Sequence, residues 1–123
     1  MDEFKVIVAG SRDFNDYELL KEIMDNLLLV KKDTHKIVIV SGMAAGADTL
    51  GIKYAKERNY TVDYHPAAWN EFGKRAGYLR NEKMANTADA CVCFWDGNSR
   101  GTNHMINIAN DKGIPTRVVK YKP

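Results

Sequence analysis

Apolar positions along this chain follow two alternating rhythms. Residues 4–9, 37–40, 61–64, 90–95 and 116–119 are short runs rich in β-branched and aromatic side chains. The first, second and fourth are apolar almost throughout, the pattern of strands covered on both faces. Between them apolar residues recur at three-and-four spacing, which places them on one face of a helix. Tyr17, Leu20, Ile23, Met24, Leu27 and Leu28 make the longest such stripe, with Asn15 or Asp16 available as its N-cap. Ala47, Leu50, Tyr54 and Ala55 repeat it, as do Met105, Ile106 and Ala109, and a shorter helical segment is expected over residues 80–88. Gly113 followed by Ile114-Pro115 reads as a helix stop leading into a strand.

Strand and helix alternating over 123 residues predict one α/β domain. The expected architecture is a three-layer Rossmann-like fold around a mostly parallel five-stranded sheet. Composition agrees, with 45% hydrophobic and 28% charged residues. A formal charge of +2 gives no general grip on nucleic acid or anionic membrane. No apolar run approaches the roughly 20 residues of a membrane span, and the start Met1-Asp2-Glu3 is acidic, unlike a signal peptide. Cys91 and Cys93 lie two apart on an expected strand, poorly placed to bridge, so buried reduced thiols and a cytoplasmic location are expected.

In such a sheet ligands gather beyond the carboxyl ends of the strands. Three small-residue turns fall there: Gly10-Ser11-Arg12-Asp13-Phe14, Ser41-Gly42 leading to Gly46-Ala47-Asp48, and Asp96-Gly97-Asn98-Ser99-Arg100-Gly101-Thr102. Each runs into a helix, whose free N–H groups and dipole suit an anion, phosphate above all. Turn geometry alone also calls for glycine. Gly42 and Gly46 are too close for a P-loop, and no G-x-G-x-x-G is present, which disfavours an ATPase or a conventional NAD site. Ser99-Arg100-Gly101-Thr102, with two hydroxyls and a cation, is the better phosphate candidate. Asp48 suits either a ribose contact or the capping of its own helix.

Residues 65–81 form a long cationic and aromatic connection, expected to act as a lid or binding loop. Within it Trp69 suits stacking on a base or packing back onto the core, and Arg80-Asn81 suits a phosphate or ribose clamp or a solvated helix face. Lys74, Arg75, Arg80 and Arg100 around Trp69 also allow a single-stranded nucleic-acid groove. His35, His65 and His104 show no metal-ligand spacing, and neither metal nor cofactor is expected.

Together these motifs, with Pro66-Ala67, Ala76-Gly77, Met84 and Ala88-Asp89, resemble the YspA-related branch of the SLOG superfamily over nearly the whole chain. The superfamily includes the lonely-guy phosphoribohydrolases and the DNA-processing protein A family. The resemblance implies a Rossmann-like fold, a homo-oligomer, and a nucleotide-like small molecule bound at these turns. On that basis the ligand-binding set is Gly10, Ser11, Arg12, Ser41, Gly42, Gly46, Asp48, Trp69, Arg80, Asn81, Ser99, Arg100, Gly101 and Thr102. The phosphoribohydrolases carry an Arg-Lys-x-x-Met motif with a catalytic arginine, and Arg80 and Met84 match its ends. Their Gly-Gly-x-Gly-Thr loop precedes a catalytic glutamate; Gly101-Thr102 match, but the glutamate position holds Met105. Hydrolysis of a nucleoside 5′-monophosphate would therefore rely on Arg80 with Asp48 or Asp96.

Overall fold

The computed structural model describes residues 2–122. The five apolar runs become β1 (Glu3–Gly10), β2 (Lys36–Ser41), β3 (Thr61–Tyr64), β4 (Ala90–Trp95) and β5 (Thr116–Lys120). The helices are α1 (Tyr17–Leu27), a single turn α2 (Lys31–Thr34), α3 (Ala47–Glu57), α4 (Trp69–Phe72), α5 (Ala76–Thr87) and α6 (Arg100–Asp111). Asp16 caps α1, its carboxylate accepting from the Leu19 N–H at 3.1 Å.

The sheet is wholly parallel, in the order β3-β2-β1-β4-β5. The chain winds outward from β1 to β3, then returns to lay β4 against the other side of β1. Successive crossovers thus diverge at β1 and β4, leaving a crevice above their carboxyl ends. Alternation along β1 divides the core: Val6 and Val8 pack with Leu20, Met24 and Tyr54 of α1 and α3. Ile7 and Ala9 pack with Met84 of α5 and Met105 and Ala109 of α6. Each large aliphatic side chain buried this way contributes roughly 1.5–3 kcal/mol. Gly51 lets α3 approach closely, since a Cβ there would lie 2.8 Å from the Val8 side chain.

A polar clamp ties α3 to α1 on the outside. Arg58 donates to both Asp25 oxygens, at 3.0 and 2.8 Å, and the Tyr54 hydroxyl donates to the same carboxylate at 2.6 Å. These bonds, Arg58's foremost, hold the Asp25 carboxyl below its ordinary range. Cys91 and Cys93 are free and buried, their sulfurs 3.6 Å apart. The bond to Cys91 and burial push the Cys93 thiol well up, so it is no ready nucleophile.

The connection from β3 to β4 departs from the expected long loop. Within residues 65–81 only 65–68 are irregular; α4, a 3-10 turn (Gly73–Arg75) and α5 follow one another, with α5 starting four residues before Arg80. Gly73, at φ +58°, does end α4, but Gly77 sits inside α5. Its missing side chain makes room for the Trp69 ring, which would lie 3.2 Å from a Cβ there.

Candidate functional site

The first two turns are pressed together before any ligand is considered. Gly46, at φ +78°, begins α3, and a Cβ on it would run into the backbone of Ser11 and Arg12. Ser11 is fully enclosed and fastens three segments. Its N–H donates to the Phe94 carbonyl at 2.9 Å, its carbonyl accepts from Phe14 and Ala47, and its hydroxyl accepts from the Asp96 N–H at 3.1 Å. Ser41 likewise works inward, donating to the Asp48 carbonyl at 3.2 Å and accepting from the Met43 N–H at 3.1 Å. Ser11 and Ser41 therefore shape the turns and do not face the crevice.

The third turn is organised by its own carboxylate. Asp96 accepts from the N–H groups of Asn98 and Ser99, both at 2.8 Å, and these bonds hold its carboxyl below the ordinary range. Ser99 caps α6 by accepting from the Thr102 N–H at 3.3 Å, with the two hydroxyls 3.0 Å apart. Two of the amides expected for an anion are thus consumed by Asp96 and a third by Ser99. Among the described residues, the N–H groups of Arg100 and Gly101 have no protein acceptor. The Arg100 side chain is exposed.

Between the turns lies Asp48, 4% exposed. It accepts from the Ala44 N–H at 3.3 Å, and the Gly10 amide and the charges of Arg80 and Arg12 act on it. Burial outweighs all of these and pushes its carboxyl up to about 6. Arg80 reaches in from the second turn of α5. It donates through Nη1 to the Gly42 carbonyl at 2.5 Å and through Nε to Asn81 Oδ1 at 2.9 Å, leaving Nη2 uncommitted among the described residues. Burial draws its pKa down from the usual guanidinium range. Asn81, itself buried, passes the connection on: its Nδ2 donates to the Gly101 carbonyl at 3.3 Å and to His104 Nδ1 at 3.1 Å. His104 packs edge-on against Tyr78 with ring centres 4.5 Å apart. Burial lowers its pKa, which keeps the ring neutral and able to accept that bond.

These side chains enclose two adjoining cavities. The inner one, about 80 Å³, is lined by Gly10, Asp48, Asn81, Ser99, Gly101 and Thr102, with Met84 and Met105 as its apolar floor. The outer one, about 420 Å³, opens over Gly42, Met43, Ala45 and Ala67. Arg12, Ala44, Trp69 and Arg80 line both. Trp69 is half exposed, so its ring forms a wall instead of folding into the core. Lys74 and Arg75 are exposed and line neither cavity, as do not Gly46 and Arg100. Ala44, Met84 and Ala67 also line the cavities, although the sequence reading placed them in its turns and motifs and not in the binding set. Met84 lies one helical turn beyond Arg80 on the same face, which is why the two ends of that motif meet at one cavity. Among the described residues no three His, Cys, Asp or Glu side chains converge as a metal set, and no helix is long and apolar enough to cross a membrane. An apolar groove of about 270 Å³ lies at the opposite end of the sheet, between Phe4, Leu27, Val92 and Pro115.

Residues 4–72 match the family described as "YspA, cpYpsA-related SLOG family". The Gene 61 protein of Mycobacterium phage D29 is 34% identical over 125 residues, covering 97% of this chain and 98% of that protein. Among solved structures, DNA processing protein A (DprA) from Streptococcus pneumoniae superposes with a TM-score of 0.70 at 17% identity, over 95% of this chain. The chain spans half the length of that DprA chain. TM1055, a structural-genomics target, gives a TM-score of 0.64 at 22% identity, over 94% of this chain and 72% of its own. At these identities the two structures speak for the fold alone.

Proposed function

Because this chain belongs to the YspA, cpYpsA-related SLOG family, we propose that it binds a nucleotide or nucleotide-derived ligand in the paired cavities. The observation that carries the reading is Arg80: a partly buried cation, held by Gly42 and Asn81, with part of its fork left over at a wall common to both cavities. A phosphate beside Ser99, Gly101 and Thr102 would meet the open amides at the start of α6 and that arginine. Asp48, facing the same space, suits ribose hydroxyls, and Trp69 offers a flat apolar wall to a base. Titration calorimetry against nucleoside 5′-monophosphates, ADP-ribose and cyclic nucleotides tests this. Saturable binding of at least one is expected, and none by well-folded protein would overturn it.

One observation favours a second reading, hydrolysis of a nucleoside 5′-monophosphate to base and ribose 5-phosphate. Asp48 is a buried carboxyl with a pKa near 6 beside a cation, suited to trading a proton near neutral pH. Asp96 lacks that freedom, since two amides hold it. Met105 contributes only an apolar wall. Chromatography for free base after incubation with each monophosphate distinguishes hydrolysis from simple binding. Release abolished by Asp48→Asn supports the enzyme, and no release by active binder excludes it.

A further inference from the structure

A third cavity, about 190 Å³, lies on the far side of the residue 65–68 segment and also has Arg80 in its wall. It shares Pro66 with the outer cavity. The topology explains the adjacency. Ser41 pairs with Tyr64 across the parallel ladder, and the His65 N–H donates to the Ser41 carbonyl at 2.8 Å. His65 therefore stands one strand spacing from Gly42, whose carbonyl holds Arg80.

Besides Arg80, the polar side chains here are unused by the nucleotide site. His65, with its side chain only 18% exposed, is joined through Nε2 to Asp63 Oδ2 at 2.9 Å, which fixes the ring and leaves Nδ1 for a ligand. Lys83, one turn beyond Arg80 on α5, lines the same cavity and has no ion-pair partner among the described residues. Phe72 and Leu79 close it with apolar surface. A bare surface contact between a histidine and a carboxylate would need neither a cavity nor two cations, Arg80 and Lys83, beside it.

The geometry points to a second phosphoryl subsite formed by His65, Lys83 and Arg80, so that the chain takes nucleotides carrying a second phosphate beyond the ribose. This deepens the nucleotide reading and rests on it. Arg80, reaching both compartments, would bridge the two anionic groups, while His65 in its imidazolium form, steadied by Asp63 at Nε2, would donate to the second through Nδ1.

Calorimetry should compare each nucleoside 5′-monophosphate with its 3′,5′-bisphosphate, in the wild-type protein and in Lys83→Ala and His65→Asn variants. For at least one base the bisphosphate should bind about tenfold or more tightly than the monophosphate. Both variants should lose most of that gain and keep the monophosphate affinity. Lys83 is exposed, so its removal leaves the fold intact. Monophosphate binding with no gain from a second phosphate, or a gain that persists in both variants, overturns the subsite alone. Failure of the wild-type protein to bind either kind of ligand overturns the nucleotide reading and the subsite with it.

Discussion

Two aspartate–arginine couples stand out in this molecule, one in direct contact and one acting only through charge, and they are built in opposite ways. Asp25 and Arg58 spend themselves on each other at the surface, fork to carboxylate, with a tyrosine hydroxyl completing the set. Asp48 and Arg80 lie inside and spend themselves mainly on backbone: the carboxylate on the Ala44 amide, the guanidinium on the Gly42 carbonyl and on the Asn81 side chain. The first pair closes its own valences and lowers its carboxyl pKa. The second keeps charge in reserve and raises its carboxyl to about 6. A saturated pair can only hold structure, whereas an unsaturated buried pair costs stability and can be completed by a ligand.

The largest test of that contrast is its dependence on pH. Between the ordinary 3.8 and about 6, native Asp48 holds a proton that the unfolded chain has released. Its contribution to stability is therefore complete below pH 3.8, falls as pH rises through about 6, and is flat above. A shift of that size corresponds to about 3 kcal/mol. Denaturant unfolding at pH 4.5 and 7.5 should show the decline, and Asp48→Asn should remove it and be the more stable protein at pH 7.5. The Asp25 contribution runs the other way, lost only as pH falls below its ordinary 3.8. A variant that follows the wild-type pH profile would show that Asp48 carries no such penalty.

Ligand affinity separates the two arginines. Arg80→Ala should weaken the tightest-binding nucleotide by about 2 kcal/mol, roughly 30-fold, as expected for loss of one charge-assisted contact. Lysine should not restore it, because a single ammonium cannot hold Gly42 and Asn81 together and still face a phosphate. Arg58→Ala should leave affinity unchanged. Equal loss in the two alanine variants would mean that binding follows general stability.

How much of this was legible in the sequence depends on where each residue finds its partners. The Leu20, Met24 and Leu28 stripe and the apolar strands declare themselves locally, because burial imposes its period on the side chains. The start of α5 does not. Its buried positions are Ala76, Asn81, Met84 and Ala85, mostly small or polar, and Gly77 within it looks like a breaker until the Trp69 ring is seen to occupy its space. Asp48 and Arg80 stood out by position and motif. That Ser11 fastens the Asp96 turn 85 residues away, while Asp96 consumes two of the expected phosphate donors, follows from hydrogen bonds that only the folded chain brings into range.

The clamp on the outer surface gives a smaller and purely structural effect. Tyr54→Phe removes the 2.6 Å bond to Asp25 while keeping the buried ring, and should cost about 1 kcal/mol in unfolding free energy. Nucleotide affinity should be unaltered. A change in affinity would mean that α3 transmits strain from the clamp to Asp48 and that the two pairs are coupled.

Gly42→Ala probes the second pair most finely, because it alters the partners' space without removing either charge. An added Cβ would collide with Arg80 Nη1 and lie 2.8 Å from Arg80 Cζ and 2.9 Å from Asp48 Oδ2. Gly42 is not among the positive-φ residues, so alanine is tolerated by the backbone there. Two side chains must yield: the far end of a long arginine, which can swing aside at little cost to the fold, and by a smaller shift the Asp48 carboxylate. Stability should then stay within about 0.5 kcal/mol of wild type. Affinity should fall about fivefold, because the displaced guanidinium loses the carbonyl that aims it. If stability falls instead and affinity holds, Arg80 is bound to Gly42 as firmly as Arg58 is to Asp25, and the reserve attributed to the inner pair does not exist.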